Sequence, residues 1–187
     1  MLPAPLGARA VVVGGTAWHI VAADVSPEWV ADAAADDPVA APLSARFLSA
    51  LADRVGVEPG VLDAVLVAPP GTSDLDLDLD VVAAEPDHPR VRRALLHRTD
   101  VQVWSTPDGA GLLTVGRGVA GRWEVSLEVE PPARRRGLGT ALALAARARV
   151  PAGTPLWAQV APANVASLRA FLAAGYRPVG AEVLYGP

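Results

Sequence analysis

The sequence predicts an α/β (α+β) fold: a mixed, mostly antiparallel central sheet with flanking helices, preceded by an N-terminal α/β extension. In the second half, three β-prone runs follow one another with only short turns between them, which predicts antiparallel strands. Runs with apolar residues at helical spacing then alternate with further strand-like runs. The predicted strands are residues 101–105, 112–115, 123–130, 156–160 and 176–185, and the predicted helices are residues 141–149 and 164–174.

The first half contains its own succession of elements. Two β-prone runs flank Gly14 and Gly15, which predicts a hairpin. Ser26 followed by Pro27 marks the start of a helix, and Gly56 marks the end of another. The other elements are a helix at 44–55, a strand at 61–67 and an arginine-rich helix at 89–97. We therefore predict a division into residues 1–98, an N-terminal extension or degenerate subdomain, and residues 99–187, the main domain.

Residues 74–80 alternate strictly between aspartate and leucine. This period of two predicts a strand with carboxylates on one face, although repulsion between those carboxylates would also suit a linker. Side chains at alternate positions of a flat strand diverge, and no glycine-containing calcium loop accompanies them. The three histidines are too scattered to form a metal-ligand pattern. We predict no metal site.

Composition and charge exclude several classes of function. The chain has no cysteine, which excludes disulfides and cysteine nucleophiles, and no apolar run long enough to span a membrane. The net charge of −4 disfavours nucleic-acid binding. Residues 1–100 carry 15 acidic residues against 7 arginines, whereas residues 101–187 carry 5 against 9. This split favours an anionic cofactor with a neutral or cationic substrate. Residues 1–13 lack the basic start and apolar core of a signal peptide, which together with the missing membrane span predicts a cytoplasmic protein without membrane contact.

The segment at residues 134–140 (RRRGLGT) carries the strongest functional signal. It follows a predicted strand and opens a predicted helix, and a helix N-terminus presents free N–H groups and a positive dipole. Gly137 and Gly139 lack a Cβ atom, so the backbone turns sharply and a ligand can approach it closely. Three adjacent arginines add positive charge. The pattern predicts a phosphate or pyrophosphate site.

The second half resembles the GNAT superfamily, the Gcn5-related N-acetyltransferases. Residues 129–139 (VEPPARRRGLG) fit the family pattern V-x-P-x-x-[RQ]-x-x-G-x-G without a gap. Residues 164–176 (NVASLRAFLAAGY) fit the second pattern, N-x-x-[AS]-x-x-[LAF]-[YF]-x-x-x-G-[FY]. One predicted helix and one strand separate the two blocks, as in the family. The resemblance covers roughly residues 99–186, and the first half has no matching block.

The resemblance implies acetyl-CoA (coenzyme A) as the co-substrate. In the family, amides of the glycine corner hold the pyrophosphate, backbone groups of the preceding strand pair with the pantetheine arm, and a splay between that strand and the next forms the thioester cleft. The second block adds further contacts to the cofactor. The residues that this likeness assigns to cofactor binding are Leu127, Val129, Arg134, Arg135, Arg136, Gly137, Leu138, Gly139, Thr140, Asn164 and Phe171.

The catalytic residues are less clearly implied. The family often takes a carboxylate from the strand before the corner as its base, and a simple count puts that position at Ser126. The same-face neighbours Glu128 and Glu124 are therefore the candidates, with Glu128 nearer the expected splay. Phe171 stands where the family often has a tyrosine that protonates the leaving thiolate. Water, Tyr176 or Tyr185 would have to substitute for it.

The sequence thus predicts an N-acetyltransferase that transfers an acetyl group from acetyl-CoA to a primary amine of a small molecule or peptide. The alternative is a non-catalytic acyl-CoA-binding or regulatory module, which the missing tyrosine hydroxyl favours. A third hypothesis has residues 1–98 bind a partner. The oligomeric state stays open, a homodimer included, as does whether residues 1–98 lie on the acceptor side or mediate dimerisation.

Overall fold

The computed structural model describes residues 1–5, 7–69 and 77–186. It contains two compact units: Met1–Val65 with Val179–Pro187, and Leu66–Pro178. The second unit thus begins earlier than the predicted boundary at residue 98 and ends at Pro178, within the last strand. This difference arises because residues 77–98 pack with the strands of the second unit. The functional division into 1–98 and 99–187 stays a prediction.

The first unit combines a small sheet with two helices. Its sheet has the order β2-β1-β9-β3, where β1 is Ala10–Gly14, β2 is His19–Ala23, β9 is Arg177–Tyr185 and β3 is Asp63–Ala68. The hairpin predicted across the two glycines is confirmed: Gly14 pairs with His19, and the N–H of Gly15 donates to the carbonyl of Trp18. Strand β9 pairs with the other edge of β1, antiparallel, with Tyr185 opposite Ala10.

Both helices of the first unit begin at the predicted residues, and the second also ends at the predicted residue. Helix α1 (Pro27–Ala33) is capped by Ser26, whose hydroxyl accepts a hydrogen bond from the N–H of Trp29 at 3.2 Å. Helix α2 (Ala45–Val55) is capped by Ser44 and stops at Gly56, which has a φ of 72°. A single apolar face of α2 packs on the sheet, and its buried residues are Phe47, Leu51, Ala52 and Val55.

The second unit is built on a sheet with the order β8-β7-β6-β5-β4. Its strands are β4 (Asp80–Val82), β5 (Thr99–Ser105), β6 (Gly111–Arg117), β7 (Trp123–Val129) and β8 (Leu156–Val160). The predicted antiparallel succession β5-β6-β7 is confirmed, and β7 pairs with β8 in parallel. Of the predicted aspartate–leucine strand, residues 74–76 lie outside the described residues, and only Asp80 is in a strand.

Helices cover both faces of this second sheet. Helix α3 (Pro89–His97) lies on the face of β7 that carries its glutamates, as the contact between Arg90 and Glu128 shows. Helices α4 (Leu138–Ala145) and α5 (Val165–Ala173) cover the apolar face. Helix α4 starts at Leu138, three residues before the predicted start at residue 141. The last four residues of the predicted helix, Ala146–Arg149, form a 3-10 helix. None of the described helices has the length and apolar character needed to cross a membrane.

Leu142 occupies the centre of the apolar core between α4 and the sheet, where its side chain is 0% exposed. We expect Leu142→Ala to lower the free energy of unfolding by about 2–5 kcal/mol, because it removes buried methyl groups and leaves a cavity. Leu172→Ala on α5 is the matched control, since Leu172 is 47% exposed and its loss should cost under about 1 kcal/mol. Urea unfolding measures both. Equal losses in the two variants would contradict this description of the core.

Candidate active site

The arginine–glycine corner lies between β7 and α4. After β7, Pro131–Ala133 forms a 3-10 turn, and the Nε of Arg134 donates a 2.9 Å hydrogen bond back to the carbonyl of Val129. Gly137 then adopts a φ of 86° immediately before the first residue of α4. Arg135 also has a positive φ, 62°, which costs a non-glycine residue free energy and persists only where the surrounding structure holds it. Main-chain amides around alternating left-handed residues form concave anion sites.

The amides of this corner have no protein acceptor. Within the described part of the chain, no backbone or side-chain oxygen accepts a hydrogen bond from the N–H groups of residues 135–140, and the first bond of the helix comes from Ala141 to the carbonyl of Gly137. A Cβ built on Gly137 would meet nothing within 4 Å. Six consecutive N–H groups, exposed arginines and the helix dipole thus surround open space, which suits a phosphate-bearing ligand.

Strands β7 and β8 diverge beside this corner. Their parallel pairing consists of two positions, Trp123 with Leu156 and Glu124 with Trp157. Both strands continue beyond that point, β7 by five residues to Val129 and β8 by three residues to Val160. The pairing ends because the strands separate toward their carboxyl ends. The resulting gap leads to the helix N-terminus, as the predicted splay requires.

The register of β7 shows which main-chain groups face this gap. Glu130 donates its N–H to the carbonyl of Ala110, so this pair is a hydrogen-bonded pair of the antiparallel ladder. Such pairs alternate with pairs whose N–H and C=O groups point away from the partner strand. Leu127 and Val129, opposite Leu113 and Gly111, are of the second kind. Their main-chain groups therefore point away from β6 and toward the gap, where an extended ligand arm can pair with them.

The side chain of Glu124 lies on the other face of β7 from those of Leu127 and Val129. There Glu124 is the centre of a buried polar network. Its carboxylate accepts hydrogen bonds from Arg98 at 3.1 Å and from Arg122 at 2.8 Å. Two further donors, the N–H of Val119 and the side-chain amide of Gln159, reach the same carboxylate at 3.1 and 3.0 Å. Glu124 is 3% exposed. These contacts leave it no access to a substrate, so the structure gives it a supporting role in place of the predicted role as a base.

Arg98 extends this network along the strand. It donates to the hydroxyl of Ser126 at 3.3 Å, and Ser126 lies 2.6 Å from the hydroxyl of Thr114 on β6. Burial lowers the pKa of the Arg98 guanidinium, and the nearby charge of Glu124 acts in the opposite direction. Because two cations and several neutral donors share a single buried carboxylate, the network depends on Glu124 keeping its charge.

Glu128 is the glutamate of β7 that remains accessible. Its carboxylate lies 3.3 Å from the Nε of Arg90, and both side chains are about one-third exposed, 33% and 35%. Glu128 is followed directly by Val129, the last residue of the strand beside the gap. Of the two predicted bases, only Glu128 thus combines solvent access with a position near the gap.

Comparison with known families agrees with this geometry. Residues 92–176 match the sequence pattern of the family described as Acetyltransferase (GNAT) family. These residues form a GNAT acetyltransferase domain. None of the curated proteins matches the sequence.

Solved structures share the fold of this chain at low sequence identity. A GCN5-related N-acetyltransferase from Kribbella flavida is 22% identical, with a TM-score of 0.50 over 75% of this chain and 63% of that chain. This chain therefore spans less than two thirds of that protein. An acetyltransferase from the GNAT family of Colwellia psychrerythraea is 10% identical, with a TM-score of 0.52 over 91% of this chain and 76% of that chain. These likenesses confirm the mixed fold predicted from the sequence.

The aromatic candidates of the GNAT domain lie in its core. Tyr176 is 2% exposed, and its hydroxyl donates to the carbonyl of Ala143 at 3.2 Å. Burial raises the pKa of Tyr176, which makes proton transfer from it unfavourable. Phe171 packs edge-on against Tyr176, with ring centroids 4.9 Å apart. Tyr185, in the first unit, donates to the carbonyl of Leu48, and burial raises its pKa to about 12. All three aromatic side chains are thus buried, and a cofactor contact of Phe171 stays a prediction.

Asn164 lies at the N-terminus of α5. Its side-chain oxygen accepts a hydrogen bond from the N–H of Ser167 at 3.1 Å, which caps the helix. The residue is exposed, and its contact with a cofactor stays a prediction. Among the described residues no group of three or more histidine, aspartate or glutamate side chains is placed to hold a metal ion.

Two functional features were missed at the sequence level. Arg90 and Arg98 lie before the predicted domain boundary, yet both contact glutamates of β7. Arg90 belongs to the predicted arginine-rich helix at 89–97 and Arg98 directly follows it, but the sequence alone does not show which residues they contact. The positive φ of Arg135 was also missed, because local sequence favours it at glycine and not at arginine.

The different environments of the two glutamates predict different effects on stability. Glu124→Gln should lower the free energy of unfolding by about 3–5 kcal/mol, because it leaves the guanidinium of Arg98 buried beside a neutral amide. Glu128→Gln removes a partly exposed ion pair and should cost about 0–1 kcal/mol. Chemical unfolding of both variants at neutral pH tests this difference. A Glu124→Gln variant as stable as Glu128→Gln would contradict the supporting role of the buried network.

Proposed function

We propose that the protein is an acetyl-CoA-dependent N-acetyltransferase whose acceptor is a primary amine. The observation that carries this proposal is the combination of six amides without protein acceptors and a gap between β7 and β8 that leads to them. The amides of residues 135–140 would hold the pyrophosphate, and Arg135 and Arg136, whose side chains are exposed, would add charge. Arg134 would act indirectly, by fixing the turn through its bond to Val129.

The outward main-chain groups of β7 would orient the rest of the co-substrate. The N–H and C=O groups of Leu127 point toward the gap, as does the N–H of Val129. The carbonyl of Val129 already accepts a hydrogen bond from Arg134, so only the N–H of Val129 is left for a ligand at the carboxyl end of β7. An extended pantetheine arm that pairs with Leu127 would lie in the gap between β7 and β8 and form hydrogen bonds with β7 as a neighbouring strand does. This pairing would bring the reactive end of the arm to the level of Glu128.

The chemistry requires a neutral amine and an acceptor for its proton. Acetyl-CoA, when bound, supplies a thioester carbonyl to which the amine nitrogen adds, forming a C–N bond as the C–S bond breaks. Glu128 would take the proton that the amine loses, because its carboxylate is accessible beside the gap. The leaving sulfur would receive a proton from water, since Phe171 has no hydroxyl and that of Tyr176 is buried.

The second candidate is a module that binds acyl-CoA without turnover. It is favoured by the absence of an accessible tyrosine hydroxyl among the described residues and by the pairing of Glu128 with Arg90. Binding alone would not separate the two candidates. Release of coenzyme A thiol in the presence of an amine would, because only the transferase produces it.

Gly139 offers a clean test of the cradle. A Cβ at Gly139 would meet only Ala170 and Val129, at ordinary distances of 3.5 and 3.8 Å. Gly139→Asp should weaken coenzyme A binding at least ~100-fold, because like charges about 4–5 Å apart repel by about 3–4 kcal/mol at an effective dielectric constant of about 20. Calorimetric titration measures this loss.

The isosteric Gly139→Asn is the control for the charge. An acidic residue in the first turn of a helix is favourable for stability, so the melting temperature of Gly139→Asp should not fall below that of Gly139→Asn. Binding by Gly139→Asp as tight as by Gly139→Asn would reject the cradle, and with it both candidate functions.

Glu128→Gln should lower kcat by about 100- to 10,000-fold while coenzyme A binding is retained, because it removes the proton acceptor and leaves the cradle intact. The measurement is thiol release at saturating acetyl-CoA over a range of pH. The loss should shrink at high pH, where the amine is already neutral. Glu85→Gln, an exposed glutamate before α3, removes the same charge and should change neither quantity. Unchanged turnover in Glu128→Gln would remove Glu128 from the chemistry.

A further inference from the structure

The ion pair between Arg90 and Glu128 is the starting observation. Arg90 is the second residue of α3, and its own N–H donates to the Nδ1 atom of His88, the cap of that helix, at 3.1 Å. Its Nε lies 3.3 Å from one carboxylate oxygen of Glu128. The first turn of α3 is thereby fixed over the face of β7 beside the gap. Arg90 is held next to the residue that we propose as the proton acceptor.

Each member of the pair keeps unused hydrogen-bonding capacity. In the part of the chain that the structure describes, the two Nη groups of Arg90 have no acceptor, and Oε1 of Glu128 has no donor. Both side chains are about one-third exposed, so these groups are accessible. A guanidinium with two free N–H₂ groups matches a carboxylate in a bidentate geometry. A carboxylate oxygen beside it matches an ammonium or amine.

The charges around the pair disfavour a purely cationic acceptor. The second unit, residues 66–178, contains 13 arginines and 11 acidic residues, whereas the remaining residues contain 3 and 9. Arg93 is exposed on the same helix as Arg90, and Glu124 is already neutralised by Arg98 and Arg122. The acidic excess of the first half of the sequence therefore belongs mainly to the first unit. A polyamine would meet Arg90 next to the only accessible glutamate among the described residues of β7.

We infer that the acceptor is a small zwitterion of the α-amino acid class, whose amine binds to Glu128 while its carboxylate binds to Arg90. This inference rests on the proposed function, because it assigns a substrate class to the same site. In an α-amino acid a single carbon joins the amine to the carboxylate, so both groups can reach two side chains that are themselves in contact. A peptide N-terminus or a simple amine lacks the adjacent carboxylate and leaves Arg90 without a ligand.

The test is a thiol-release assay with purified full-length protein, saturating acetyl-CoA and three sets of acceptors. The first set contains each of the twenty proteinogenic amino acids, the second their amides, and the third the corresponding decarboxylated amines together with polyamines. We expect at least one amino acid to have a kcat/KM about tenfold or more above that of its amide and of its amine.

Arg90→Gln separates recognition of the carboxylate from chemistry. It should raise KM for the preferred amino acid about 10- to 100-fold with little change in kcat, because a charge-assisted bidentate contact is lost. KM for the matched amide should change less than threefold. Arg93→Gln removes the same charge from the same helix without touching Glu128, and should leave KM for the amino acid within a factor of three.

The outcomes are distinguishable. If amides or amines are used as well as amino acids, or if Arg90→Gln does not alter the preference, the inference is overturned and the transferase stands. If coenzyme A binds but no member of the three sets releases thiol, the proposed function falls and the inference falls with it. If Arg90→Gln and Arg93→Gln raise KM for the preferred amino acid equally, the cause is the loss of positive charge in general. That result overturns the inference that Arg90 binds the carboxylate.

Discussion

The separation of β7 from β8 is the constraint on which the rest of the site depends. Two neighbouring strands that stop pairing leave N–H and C=O groups facing a gap, and buried groups of this kind are costly unless something pairs with them. Here the exposed gap lets water or a ligand satisfy Leu127. The same separation opens the path to the amides before α4. Closing it would extend the pairing between the two strands and remove the site.

The two faces of β7 serve different purposes. Its apolar face packs against α4 and α5, where burial fixes the start of α4 and thus the direction of the free amides. Its polar face is supported by the carboxylate of Glu124, which accepts hydrogen bonds from two arginines, one amide side chain and one backbone N–H. A buried charge with this many partners contributes little net stability but holds its neighbours in a single arrangement. Glu128, at the exposed end of the same face, is consequently presented by a rigid strand.

The sequence predicted the elements that depend on local chemistry. Ser26 and Ser44 as helix caps, Gly56 as a helix end and the hairpin at Gly14 follow from backbone geometry that a few neighbouring residues determine. The glycine corner was identifiable for the same reason. Long-range partners were not predictable, because the contacts of Arg98 with Glu124 and of Arg90 with Glu128 join residues 26 and 38 positions apart. The burial of Tyr176 likewise depends on α4, which a local pattern does not show.

The order of strands along the chain has a consequence for synthesis on the ribosome. Strand β1 lies near the start of the sequence, yet one of its two partners is β9, with Ala10 opposite Tyr185. More than a hundred intervening residues, those of the second unit, must emerge before this partner exists. The pairing is therefore among the least local contacts of the chain, and non-local contacts form slowly. A nascent chain would expose one edge of β1 until β9 has been synthesised, and during that time chaperones that bind unpaired strand edges would protect it from aggregation.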